Sequence, residues 1–314
     1  MPMFLLIAGI SGNLGHQLAS AALRRGLLVR GMGRTPDKVD SQVATALESF
    51  VRIKNYYDTD VIQRAVTGVD AVVCAYGATP ELYLEAQLVL LREAEKAGVK
   101  IFHAQSWNFN WHGLTFGDME YYDANISFYR QVELTSKIRP VYVFSGFFAH
   151  RLYLPTGPGS FTLENGRATM KYWGDGQARY TWTSMKDCAE TSIEILTSDP
   201  GVLAGKGGIF CIQSGSHTVS EFAEAYERAT GIKVELVRQG DFQDLETRVA
   251  DMRARYGPSR YFHYLRDLII MLTIQGKWVV QNLTSYDHIP KSSLEDIIAE
   301  DKDIPGPYSL PLLD

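Results

Sequence analysis

Phe4-Leu5-Leu6-Ile7-Ala8, followed by Gly9-Ile10-Ser11-Gly12-Asn13-Leu14-Gly15, decides the fold of this chain. An unbroken apolar run that stops at glycine is the pattern of a parallel strand covered on both faces. The glycines then fall on the turn from that strand into a helix expected over His16–Arg25. Gly9 is expected to take the tight turn, Gly12 to let backbone approach a pyrophosphate, and Gly15 to let the helix pack close to the strand. The helix start directs unpaired N–H groups at the same point, which favours an anion. The spacing is G-x-x-G-x-x-G rather than G-x-G-x-x-G, so the motif taken alone also fits a glycine-rich turn with no ligand.

The rest of the chain repeats the strand–helix alternation. Strands are expected at Leu27–Met32, Val51–Ile53, Asp70–Ala75, Lys100–Gln105 and Pro140–Phe144, with helices at Asp58–Val66, Leu82–Ala97 and Tyr121–Thr135. Such alternation predicts an α/β, Rossmann-type doubly wound parallel sheet with helices on both faces. The expected division is a dinucleotide-binding domain over 1–150 and a smaller C-terminal substrate lobe over 151–314. Within that lobe, 180–215 is expected to return strands to the main sheet: Tyr180–Thr183, the helix Met185–Thr197, and Gly208–Gln213. Thr218 and Glu221 form a capping box that opens a helix to Thr230, and Val234–Val237 is a late strand. Glu246–Arg266 reads as a solvated helix face. A helical tail to about Trp278 and proline-rich loops complete the chain.

Composition narrows the function. The 314 residues are 46% hydrophobic and 21% charged, with net charge −5 and pI near 5.8. No basic footprint for nucleic acid is present, and no apolar run is long enough for a membrane span. Neither a signal peptide nor metal-ligand spacing is expected. Cys74, Cys188 and Cys211 read as reduced core thiols of a cytoplasmic protein. Where an NAD-preferring fold carries an acid at the end of its second strand, this chain carries Arg34, with Lys38 a turn later. A guanidinium suits a 2′-phosphate, so NADP(H) is expected in preference to NAD(H). The residues expected along the cofactor are Gly9, Ser11, Gly12, Asn13, Leu14, Gly15, Arg34, Lys38, Ala75, Tyr76, Gly77, Gln105 and Ser106. Ser106 reads equally well as a substrate contact or a turn residue.

The glycine stretch, Arg34, Asp70–Ala75, Ala97-Gly98-Val99-Lys100, Tyr142–Phe148, Thr183–Thr197 and Thr218–Val234 occur in an order that resembles the isoflavone-reductase and NmrA-like branch of the atypical short-chain dehydrogenases. The resemblance covers about residues 1–240. It implies an NADP-binding Rossmann domain with a small substrate lobe. Relatives of this kind either reduce small aromatic secondary metabolites or sense dinucleotides without turnover. It also implies a catalytic lysine early in the helix after the fifth strand, and that position holds Asn125. Tyr121 stands four residues earlier, where ordinary short-chain dehydrogenases place a proton-donating tyrosine.

An asparagine cannot lower a phenol's pKa by charge. Tyr121 or Tyr122, Asp123 and His112 are therefore the candidate proton donors or orienting groups, each also explicable as packing, capping or loop structure. Trp107, Phe109, Trp111, Phe116, Tyr121 and Tyr122 suit a flat aromatic substrate. The readings are an NADP(H)-dependent reductase of a small aromatic or polycyclic secondary metabolite, acting on a C=C, C=O or C=N bond, a non-redox cyclase or isomerase of a natural product on the same fold, and a non-catalytic dinucleotide-sensing regulator. The expected partners are a small aromatic molecule and a possible second copy of the chain, with no nucleic acid and no membrane; the regulator reading adds a protein partner.

Overall fold

The computed structural model describes residues 2–300 except 78, 279 and 281; of the proline-rich loops expected after about Trp278, 301–314 lie outside them. Its strands are β1 Phe4–Ala8, β2 Leu28–Gly33, β3 Ser49–Arg52, β4 Ala71–Cys74, β5 Ile101–His103, β6 Val141–Phe144, β7 Phe147–Phe148, β8 Thr162–Glu164, β9 Arg167–Tyr172, β10 Tyr180–Thr183, β11 Gly208–Cys211, β12 Gly215–His217 and β13 Val234–Arg238. Seven of them form one parallel sheet in the order β11-β6-β5-β4-β1-β2-β3. After β3 the chain crosses back over β1 to lay down β4. That reversal opens a crevice above the carboxyl ends of β1 and β4. Leu5, Leu6, Ile7 and Ala8 are fully buried because helices cover both faces.

The C-terminal strands depart from the sequence reading. β11 does join the main sheet, but β10 does not; it pairs with β7 and β12 in a separate three-stranded sheet. At Gly146, φ +67°, the chain turns off β6 and passes so close to β10 that a Cβ would lie 2.3 Å from the Thr181 carbonyl oxygen. A third sheet, β13-β9-β8, lies beyond it. The capping box forms as expected, with Thr218 N–H donating to Glu221 at 2.8 Å and Glu221 N–H to the Thr218 hydroxyl at 3.2 Å. A short helix at Leu294–Glu300 falls in the stretch read as loops. One apolar cluster runs without a break from Leu6 and Phe102 through Trp111 and Phe147 to Phe222 and Leu268. No helix among the described residues is long and apolar enough to cross a membrane, and Cys74, Cys188 and Cys211 are free and buried.

Candidate active site

A cavity of about 720 Å³ occupies the crevice, within the size range of ligand pockets. At one end stands the glycine turn. Gly9 is at φ +87°, and a Cβ there would meet the Ala75 carbonyl oxygen at 2.3 Å; a Cβ on Gly15 would meet the Gly9 carbonyl oxygen at 2.2 Å. Gly12 differs: its φ of −83° suits any residue, and its nearest neighbour is the Gly9 oxygen at 3.3 Å. No side chain caps the helix Asn13–Arg24 that starts here, so its first N–H groups face the cavity as an anion site. Ser11, Asn13 and Leu14 complete this wall, and Ala75, Tyr76 and Gly77 face it from the end of β4.

Arg34 and Lys38 mark the β2 side of the cavity. The Arg34 guanidinium lies 5.1 Å from the ring of Tyr56, which packs edge-on against Tyr76 at 4.8 Å. Neither basic residue is paired with a carboxylate among the described residues. The exit of β5 supplies Gln105 and Asn108. Gln105 Oε1 and both side-chain polar atoms of Asn108 are buried with no partner, although both residues line the cavity. Buried amides without partners are costly; polar groups of a bound ligand would satisfy them.

Away from the glycines the wall becomes aromatic: Tyr83, Phe109, Tyr121, Tyr122, Phe147, Phe148 and Phe262, with Leu265 and Ile269. Tyr83 arrives there on a π-helical turn, Leu82–Ala86, ahead of the helix Gln87–Lys96. Gln87 anchors that turn, donating Nε2–H to the Tyr83 carbonyl at 2.9 Å and accepting the Gln105 N–H. The hydroxyls of Tyr83 and Tyr121 share a hydrogen bond of 2.7 Å. Glu120 fixes the turn that carries Tyr121 by accepting from Arg253 at 3.1 Å and from the Tyr264 hydroxyl at 3.0 Å. Burial raises the Tyr121 phenol above its usual range, opposed by the Tyr83 hydrogen bond and the positive charge of Arg151. Tyr83 and Tyr122 are pushed higher still by burial. The Tyr122 hydroxyl is engaged with the backbone, accepting the Phe109 N–H at 3.2 Å.

Several sequence candidates stand elsewhere. Asn125 is buried but does not line the cavity. Tyr121 belongs to the 3₁₀ turn Glu120–Tyr122 and Asn125 to the helix Asp123–Thr135, and of the two only Tyr121 lines the cavity. The Asp123 carboxylate accepts the Gly117 N–H at 3.0 Å and braces the loop. His112 is exposed, packed edge-on against Tyr129. Ser106 is fully buried, donating to the Ala104 carbonyl at 3.1 Å and accepting the Val143 N–H at 2.8 Å; it ties β5 to β6 rather than contacting the cavity.

The aromatic loop divides as well. Trp107 and Phe109 reach the cavity, Trp111 packs in the core against Tyr142 and Phe144, and Phe116 is 62% exposed. Phe262, Leu265 and Arg266 form a wall where a solvated face was expected, while the helix before them is buried only at Leu245 and Val249. The sequence reading missed Tyr56, Tyr83, Asn108, Phe147, Phe148, His150, Arg151 and the Phe262–Ile269 group, among others. The rule that parallel sheets bind at their carboxyl ends points to the exit of β6 as much as to β4 and β5, and that was the available signal for 147–151.

The NmrA-like family model matches residues 3–277. Among curated proteins, none matches the sequence. Solved structures are similar in fold. Isoflavone reductase superposes with a TM-score of 0.76 at 16% identity, covering 96% of this chain and 99% of that one. Leucoanthocyanidin reductase from Vitis vinifera, in a binary complex with NADPH, gives 0.73 at 16% identity over 95% and 99%. An NADPH-dependent quinone oxidoreductase from Escherichia coli, complexed with NADPH, gives 0.70 at 15% identity over 95% and 99%.

Proposed function

We propose that this chain, which belongs to the NmrA-like family, is an NADPH-dependent reductase of a small aromatic molecule. The observation that carries the reading is one cavity joining an uncapped helix start beside a glycine turn to a phenol pair in an aromatic wall. Isoflavone reductase and leucoanthocyanidin reductase, which share the fold, are named for reductions of such molecules. The backbone of Gly9–Gly15 would hold the pyrophosphate, and Arg34 the 2′-phosphate, braced against Tyr56. Gln105 and Asn108 are suited to polar groups nearer the reacting end.

When bound, NADPH supplies the hydride. The protein supplies position, a water-excluding wall and a proton. Its acid would be Tyr121. Burial keeps that phenol protonated at neutral pH, so it serves as a donor at Oη and a poor base. Tyr83 aims the hydroxyl through their shared hydrogen bond; as the weaker acid of the pair it does not replace the proton, which returns from solvent. An acid of this kind favours reduction over alcohol oxidation.

The test is loss of NADPH absorbance with quinone and enone substrates. Tyr121→Phe should lower turnover by about 10²–10⁴-fold with NADPH affinity unchanged. Turnover near wild type in Tyr121→Phe would remove the phenol from the mechanism. NADPH that binds but is never consumed would favour the non-redox reading instead.

A further inference from the structure

Arg151 stands in the aromatic end of the cavity without a counter-charge. It lines the wall and is half-buried, and no carboxylate pairs with it among the described residues. The other guanidinium at this end is already neutralised. Arg266 donates two hydrogen bonds to Asp267, at 3.1 and 2.7 Å, and a third to the Ser160 hydroxyl. His150 beside it offers no negative charge; burial, with the repulsion of Arg151, pushes it down to about 4, so it is neutral.

The backbone of Arg151 is held in place. It ends a 3₁₀ turn, Ala149–Arg151, between buried Ala149 and fully buried Leu152. Gly157 closes on its carbonyl so tightly that a Cβ would lie 2.2 Å from the oxygen. The next residue but one, Tyr153, is pinned through its hydroxyl to the Phe222 carbonyl at 3.1 Å. A fixed, half-desolvated guanidinium among aromatic rings is unfavourable until an anion meets it.

We infer that the substrate is a flat aromatic molecule bearing an anionic group, a carboxylate in the first instance, and that Arg151 anchors it. The inference rests on the reductase reading, which gives the glycine end to the dinucleotide and leaves this end to the substrate. Arg151 lines the same cavity as Tyr83 and Tyr121, and its charge acts on the Tyr121 phenol, so the anchored group shares the cavity with the phenol pair. On the reductase reading the pyrophosphate is held by the backbone of the glycine turn and by the uncapped helix start, which leaves Arg151 for a second anion. Guanidinium and carboxylate meet in a planar, two-pronged geometry, which would fix the orientation of the ring as well as hold it.

The probes are 2-naphthoate and its neutral, nearly isosteric amide, titrated into the full chain with and without saturating NADPH and followed by calorimetry. The naphthoate should bind about tenfold or more tightly than the amide. Arg151→Gln should bring the two together while NADPH affinity stays at the wild-type value, and Arg151→Lys should keep part of the preference. Equal binding of acid and amide by the wild type overturns the inference, as does a preference that survives Arg151→Gln. Loss of NADPH affinity in Arg151→Gln also overturns it, by assigning the residue to the cofactor. A wild type that prefers the naphthoate through Arg151 yet binds no NADPH would keep the anchor and discard the reductase reading.

Discussion

The glycine end of the cavity is made by consecutive residues, Gly9–Gly15, and works through backbone; the aromatic end is made by side chains drawn from segments as far apart as Tyr83 and Ile269. At the first, each requirement is a requirement on a single position. Gly9 needs positive φ, and Gly15 needs the absence of a Cβ. At the second, residues are placed by contacts with distant parts of the chain or by an irregular turn that no sequence pattern announces. Tyr121 faces the cavity because Glu120 is held by Arg253 and Tyr264, and Tyr83 because a π turn rotates it there. Sites of the first kind are visible in a sequence, whereas sites of the second kind appear only after folding.

This contrast breaks most readily at Gly12. Its φ of −83° tolerates a side chain, so Gly12→Val should fold, with unchanged far-UV circular dichroism, and lose measurable NADPH binding by calorimetry. Retained affinity in that folded variant would reduce the glycine end to a turn. Arg34 is the one side chain at that end asked to choose between cofactors. Arg34→Asp should weaken NADPH by about 1.5–3 kcal/mol and leave NADH nearly untouched, measured as the ratio of the two dissociation constants. A wild-type ratio near one would remove Arg34 from cofactor choice.

Two further tests concern residues between the ends. Ser106→Ala strands the buried Val143 N–H. It should cost about 1–3 kcal/mol in urea unfolding and leave NADPH affinity alone; the reverse pattern would return Ser106 to the site. His103 is fully buried, and burial pushes it down to about 4. Its unfolded form takes up a proton near pH 6.5 while the folded form does not. The unfolded state therefore binds more protons between those values, and stability falls as pH drops from about 6.5 to 4, by up to about 1.4 kcal/mol per pH unit. Urea unfolding across that window, compared with His103→Leu, should show the slope reduced in the variant; equal slopes would give the loss to other groups.

Much of the fold was legible. The apolar runs and glycine stops locate β1 to β6 to within a residue or two, since strands covered on both faces carry the plainest pattern. The capping box at Thr218 and Glu221 is legible for the same local reason. β8 and β9 carry their own mark in Asn165-Gly166, whose φ values of +50° and +76° are those of a tight hairpin, but glycines and prolines on either side obscure it. β10 could not be assigned to its sheet from its sequence, because its partners, β7 and β12, lie elsewhere in the chain. Asn125 and Tyr121 failed as a pair because only Tyr121 lines the cavity. Arg151 had no local signature at all: it is an arginine in an irregular stretch until Gly157 and the aromatic wall give it a place.

The π turn at Leu82–Ala86 has an evolutionary consequence. A π turn is geometrically an α-helix that has accepted one extra residue. Removing one residue from 84–86 would let the segment relax to a regular helix and swing Tyr83 and the chain before it by about 100° relative to the helix Gln87–Lys96. Gln87 and that helix would stay on β5, while Tyr83 would leave the cavity and Tyr121 would lose its partner. A single-codon deletion, distant from the glycine turn and touching no residue of the aromatic wall, would thus separate the protein's capacity to hold a dinucleotide from its capacity to deliver a proton.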